Sequence, residues 1–515
     1  MKKIAFVLLI LVAICLLISC GKQTASGEEK LADVRFDSFA VGFGKADITP
    51  DPDSKIGILG NNDHTTRLSE GVLEPLGVAC IAFTDTDNTT VLLYSADLHT
   101  SDSEVVKAIR EGIEAQTGVP GNHVQFTVTH IHTGPDTGST ASGPVRENNK
   151  MIVERCVQAG VDALKTRKPA QMYTTFTRPE NLLFHNHFLL EDGSYNGWRY
   201  EIDQSKVIGR MEAADNLFQM VKFTREGEKD IIMVNWPAHI RNGMSAEYYN
   251  YLNGDFSAVM RRVLLEKADC ESLYIYNGCG DVLPETVIQK DNITENYLDY
   301  GELLADIIIE NDKNFQLAET GKIQYLENNY VLPFPDQERA YPLYAFGFGD
   351  FGCVTIPWKP MQVNLMAVRE NSPYKMTFYS GVANGSNFGA YLPDEKKTTY
   401  PSYQNGTWFT PKGTAEVVET ELIRMLNEIF EKSGQTVKDK GEGYIMDHSP
   451  KTDGISYTID KGAAPKEVNN GHYQVMTTQR LLLVQDKALA DEIVKYDTVK
   501  LLFAENNMVV GIYEE

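Results

Sequence analysis

Positive charge is what this sequence is short of. Lys and Arg total 48 against 71 Asp and Glu, a formal net charge of −23 over 515 residues. A surface of that sign repels phosphate backbones and anionic headgroups. This excludes nucleic acid as a partner and electrostatic docking on an anionic membrane. A spanning apolar run is missing as well. The run Ile4–Ile18 has 15 residues (18 − 4 + 1), short of the roughly 20 that cross a bilayer. Cysteine is sparse: seven residues without one C-x-x-C spacing, which indicates no cysteine zinc site and leaves one or two disulfides open among Cys80, Cys156, Cys270, Cys279 and Cys353. No internal repeat and no low-complexity tract beyond the N-terminal segment is found.

What is there begins with an export address. Lys2 and Lys3 precede the apolar run, which ends in Leu17-Ile18-Ser19-Cys20. This is the layout of a bacterial lipoprotein signal, with cleavage before Cys20 and lipid on its sulfur; an ordinary secretory signal is the plainer reading. Acyl chains on Cys20 would anchor the chain outside the cytoplasm without a spanning helix. Cleavage removes Lys2 and Lys3, so the mature charge is −25 (46 − 71). Residues 21–34 read as a flexible tether. Residues 35–433 follow as one large body, 434–452 as a polar linker, and 453–515 as a small β-rich domain. In that last part 480–484 and 499–503 pair with 508–513.

The large body alternates strand and helix patterns, an α/β order around a mixed sheet with flanking helices. Segments 77–83 and 90–95 read as a hairpin. Ser101-Asp-Ser-Glu104 fits a capping box before a helix, and 124–129 reads as a buried strand. That strand ends in Thr129-His130-Ile131-His132-Thr133-Gly134-Pro135. Alternation sends His130 and His132 to one face, and two imidazoles at a strand end are half of a zinc site or two satisfied polar residues. Asp97 and His99 close the preceding strand. They read either as a helix-entry cap and a surface histidine, or as a ligand and its partner. His239 stands just past the strand 231–236. His185 and His187 read as surface or substrate-cleft residues.

Several short motifs occur in one order. They are Val41-Gly-Phe-Gly-Lys-Ala-Asp-Ile-Thr-Pro50, the Thr129–Pro135 motif, Asn235-Trp-Pro-Ala-His239, Gly280-Asp-Val-Leu-Pro284, Gly389-Ala-Tyr-Leu-Pro393 and Tyr403-Gln-Asn-Gly406. Together, from about residue 41 to 415, they resemble the neutral ceramidases, zinc amidohydrolases that cleave the amide of N-acylsphingosine. The resemblance implies that His130, His239 and Tyr403 are zinc ligands and that His132 lies near the metal. It also implies a lipid-like or N-acyl substrate.

Two positions depart from the family pattern. Leu283 stands where the family carries its nucleophilic serine, and a leucine has no proton to give. Lys359 stands where the family has a metal-binding glutamate. It either occupies the place of the metal's charge or points to solvent from a displaced loop. The expectation is therefore a divergent hydrolase in which a metal polarises an amide or ester carbonyl and water replaces the serine. Asp97, His99, Asp255 or Asp281 would complete the coordination or act as general base. The expectation from another class is a lipid or amphiphile binder that kept the fold and lost the chemistry.

Overall fold

Alternating apolar strands of the large body fall into one sheet in two halves. A computed structural model describes residues 30–513 apart from 61–65, 101, 139–142, 198–201, 244–246, 286–295, 334–337, 386–389 and 408–409. The signal, Cys20 and Ser101 lie outside the described residues. Strands β1 (Ala40–Asp47), β2 (Gly77–Thr84), β3 (Thr90–Ala96) and β4 (Val124–Val128) form the first half. Strands β5 (Lys168–Thr177), β6 (Phe218–Arg225), β7 (Ile231–Trp236) and β8 (Glu271–Tyr276) form the second. The spatial order is β8-β7-β6-β5-β1-β2-β3-β4, and Gln316–Ala318 pairs on β5 as the ninth strand. β2 and β3 make the expected hairpin.

Two pairs are parallel, β3 with β4 and β7 with β8. Parallel neighbours need a crossover. Helix α1 (Ser103–Thr117) joins the first pair; α2 (Gly143–Lys165) follows β4 in the chain, and α3 (Asp255–Ala268) joins the second pair. The N-cap of α1 is Asp102, whose side chain accepts from the Glu104 amide, one residue later than the capping box predicts. The two halves are joined edge to edge by the pairing of Ala40–Val41 with Lys168–Pro169. Their far ends converge, so that the Ser95 hydroxyl donates to the Tyr274 carbonyl at 2.5 Å. The carboxyl ends of β3, β4, β7 and β8 thereby share one neighbourhood, the usual place for a site in an open α/β sheet.

A second sheet covers one face of the first. It comprises β9 (Gln324–Pro333), β10 (Glu338–Phe348), β11 (Phe351–Thr355) and β12 (Met376–Ser380), in that order. Phe346 and Phe348 of β10 pack with Val41, Phe43 and Phe83 between the sheets. Leu343 and Ala345, on the other face of β10, pack with Val418 and Leu422 of an outer helix, Thr414–Ser433. The layers are thus helix, sheet, sheet, helix, which is the mixed α/β fold read from the sequence. The Val41–Pro50 motif has a packing reason: a Cβ on Gly42 would lie 1.8 Å from the Ala163 carbonyl oxygen of α2, and one on Gly44 2.1 Å from that of Ala159.

The C-terminal part is a six-stranded sheet over 451–512 with a core of its own around Val484, Leu501 and Val509. The stretch before it lies against the body. Tyr444 is buried and donates to the Gln219 side chain at 2.7 Å, and Lys438 pairs with Asp350. No helix among the described residues is long and apolar enough to cross a membrane. The five body cysteines are buried and free, so neither of the disulfides left open by the sequence forms.

Candidate metal centre

Four imidazoles meet where the parallel strands end. His99 follows β3, His130 and His132 follow β4, and His239 follows β7. Ring centroids are 4.4 Å apart for His99 and His130, 4.8 Å for His130 and His239, and 4.8 Å for His132 and His239. His130, His132 and His239 are buried and His99 half-buried. His130 has a positive φ of 62°, a costly conformation for a residue with a Cβ and one that clusters at functional sites. Its amide donates to the Leu98 carbonyl, and Arg67 donates to the carbonyl of His132 at 2.9 Å.

The tautomers follow from the partners. A carbonyl only accepts, so His130 Nδ1–H donates to the His99 carbonyl and His132 Nδ1–H to the Gly60 carbonyl, each at 2.6 Å. The Tyr276 hydroxyl spends its proton on the Cys279 carbonyl at 2.6 Å. At 3.4 Å from His239 Nδ1 it can then only accept, so that nitrogen carries the ring's proton. All three Nε2 atoms are left with lone pairs directed inward. His130 Nε2 is buried without a hydrogen-bond partner, and the Nε2 atoms of His132 and His239 stand 2.8 Å apart.

Two facing lone pairs at that distance repel unless a cation lies between or beside them. Imidazole nitrogens oriented by backbone carbonyls are the donor set a zinc-type ion takes. One ligand atom from each of His99, His130 and His132 also lies within 4.8 Å of the others. Burial is the first cause that holds all four rings well below the usual histidine range, followed by neighbouring positive charges, Lys359 among them for His99, His130 and His239. Neutral rings are the form that ligates.

Lys359 does not point to solvent. It is 5% exposed, with Nζ 3.9 Å from the centroid of the Tyr391 ring. Burial, then the charge of Arg241, lowers its pKa to about 7. Tyr403 meets Tyr391 edge-on at 5.8 Å and is 42% exposed.

The acidic candidates are engaged elsewhere. Asp97 accepts from the Gly77 amide and pairs with Arg261. Asp255 accepts from the amides of Gly243 and Phe256 at the start of α3. Asp281 is buried in an ion network. It accepts from the Gln362 amide at 2.9 Å, pairs with Lys397 at 3.3 Å and bonds His185 at 3.1 Å. Burial raises its pKa, but Lys397 and His185 outweigh that and hold the carboxylate far below its usual range. Lys397, 0% exposed, also pairs with Glu212 and Asp394.

His185 and His187, read from sequence as surface or cleft residues, are both fully buried. His187 bonds the Tyr400 hydroxyl at 2.6 Å and Gln404 at 3.0 Å. No local pattern could announce this, because Asp281, Tyr400 and Gln404, which the two rings bond, come from distant segments. Leu283 is buried, opposite Phe184 in a three-residue pairing of Val282–Pro284 with Leu183–His185.

No protein-family model and no curated protein matches this sequence. Among solved structures, the chain is similar to a ceramidase complexed with C2, with a TM-score of 0.62 and 13% identity over 85% of this chain and 84% of that one. It is likewise similar to the neutral ceramidase of Pseudomonas aeruginosa, with a TM-score of 0.61 at the same identity and coverage. The chain has a ceramidase-like fold.

Proposed function

We propose that this protein is a metal-dependent hydrolase of an N-acyl amphiphile, of the neutral ceramidase kind, tethered outside the cytoplasm through lipid on Cys20. The observation that carries the reading is the buried, unpartnered His130 Nε2, set among rings whose other nitrogens are committed to backbone partners. His130, His132 and His239 would hold the ion. There it would supply polarisation of a carbonyl and acidification of water.

The chain's own residues do the rest. The carbonyls of His99 and Gly60 and the Tyr276 hydroxyl orient three rings, so that their Nε2 lone pairs already face the place the ion would take. Leu283 offers no nucleophile, so water attacks directly and no acyl-enzyme forms. Asp97, Asp255 and Asp281 are held by other partners, which leaves half-buried His99 to take the water's proton and return it to the departing amine. Purified protein should contain about one zinc per chain and hydrolyse N-acylsphingosine in a chelator-sensitive way. Metal-free protein without hydrolysis would defeat the reading.

A second reading is favoured by Leu283 and by the burial of Lys359 beside the rings. The chain would then bind an amphiphile without cleaving it. Stoichiometric binding of N-acylsphingosine by metal-free protein, with no product, would support it.

A further inference from the structure

We propose that Lys359 is a carbamylation site. Its Nζ takes up carbon dioxide, and the carbamate faces the imidazoles as the anionic oxygen ligand they lack. The inference rests on the metal-centre reading above.

Charge balance is the first support. The described His, Cys, Asp and Glu side chains that gather at the cluster are histidines alone. Asp97, Asp255 and Asp281 are engaged as described. A divalent ion on neutral imidazoles would bring two uncompensated charges into a buried place, which is costly.

The contrast between two buried lysines is the second. Lys397 is surrounded by Asp281, Glu212 and Asp394 at 3.1–3.3 Å. Lys359 is nearly as buried, yet among the described residues no carboxylate lies within ion-pair distance of it. Its partner is the face of Tyr391. A buried ammonium without an anion is a liability. A carbamate at that place would have Arg241 as a nearby cation instead.

Position is the third. The Lys359 amide donates to the Ala390 carbonyl at 2.9 Å, and Lys359–Pro360 pairs with Tyr391–Leu392. The Gly280 amide donates to the Pro360 carbonyl at 2.8 Å. Lys359 is thereby clamped between the loop after β8, which contacts His239, and the loop carrying Tyr391.

The step balances without a redox partner. The Lys359 ammonium first gives one proton to water, and the freed nitrogen lone pair forms an N–C bond to carbon dioxide. One C=O π pair moves onto oxygen, and one N–H proton leaves to water, giving Lys–NH–COO⁻.

The full chain, equilibrated with 13C-bicarbonate, is examined by 13C NMR with and without Zn²⁺. One carbamate carbon per chain is expected in the wild type, absent in Lys359→Arg and Lys359→Glu. Stripping carbon dioxide should weaken zinc binding by the wild type about tenfold or more and leave Lys359→Glu unchanged. Zinc-loaded wild type without the resonance overturns the carbamate and leaves the metal reading standing. Failure of both wild type and Lys359→Glu to bind zinc overturns the metal reading. The resonance in the metal-free wild type then decides the modification by itself, present upholding it and absent overturning it.

Discussion

His132 and His239 bring their Nε2 atoms to 2.8 Å across 107 positions of sequence, with each ring's Nδ1 already committed. With a proton on each Nδ1 the two Nε2 lone pairs face each other, and a shared cation relieves their repulsion. Substituting His239→Ala should therefore cost more zinc affinity than the roughly 10–100-fold lost with an outer partner. Competition with a chelator measures it. An unchanged affinity would remove His239 from the site.

Lys359→Glu supplies an oxygen ligand and removes a repulsion. A unit charge about 4 Å from a divalent ion costs on the order of 8 kcal/mol at an effective dielectric of 20, twice the unit-charge figure. Structural zinc sites gain about 10–16 kcal/mol. In carbon dioxide-free buffer the variant should bind zinc several orders of magnitude more tightly than the wild type. In bicarbonate the gap should narrow.

The Lys397 network is a stability element. Lys397→Met leaves Asp281, Glu212 and Asp394 without their cation and should cost about 3–5 kcal/mol, read from urea unfolding. A loss under about 1 kcal/mol would mean the carboxylates find other partners or protonate at no cost.

The same network sets a pH dependence. Burial raises the pKa of Glu212, but Lys397, His185 and the Gln362 hydrogen bond together outweigh burial and hold it at about 2, against an ordinary 4.5. A depressed carboxylate contributes stability above its unfolded pKa and loses it as pH falls through the folded one. The stability difference between wild type and Glu212→Gln should be constant above pH 5. It should shrink between 4.5 and 2. A difference that grows on acidification would reverse the assignment.

Gly42→Ala and Gly44→Ala should each destabilise by about 1–3 kcal/mol or more, because α2 must move to admit a Cβ. Gly143→Ala meets nothing within 4 Å and should be nearly neutral in thermal unfolding.

Cys20→Ala should leave the protein in the soluble extracytoplasmic fraction. Retention of a processed, acylated protein in the membrane fraction would move the anchor elsewhere.

The local order of the chain was legible because strand and helix patterns act over a few residues. The hairpin of β2 and β3, the strand before His130 and the mixed α/β class all follow from apolar alternation and turn residues. His130 and His132 do come together, but by a loop beyond Val128 in which His130 has a positive φ, not by strand alternation. The glycines of Val41–Pro50 were visible as a motif, but their cause, the close approach of α2, was not.

The assembly of the site belonged to the tertiary structure. His239 and His99 join the Thr129–Pro135 motif only because two half-sheets meet at one corner and bring the carboxyl ends of β3, β4 and β7 together. Asp281 looked like a free base next to a glycine turn, and distant Lys397 and His185 made it a buried, engaged anion. Lys359 could have faced solvent or the rings, and its pairing beside Tyr391 turned it inward. Residue type and spacing determined which side chains could do chemistry. Long-range packing, which alone decides burial and partners, determined which of them meet.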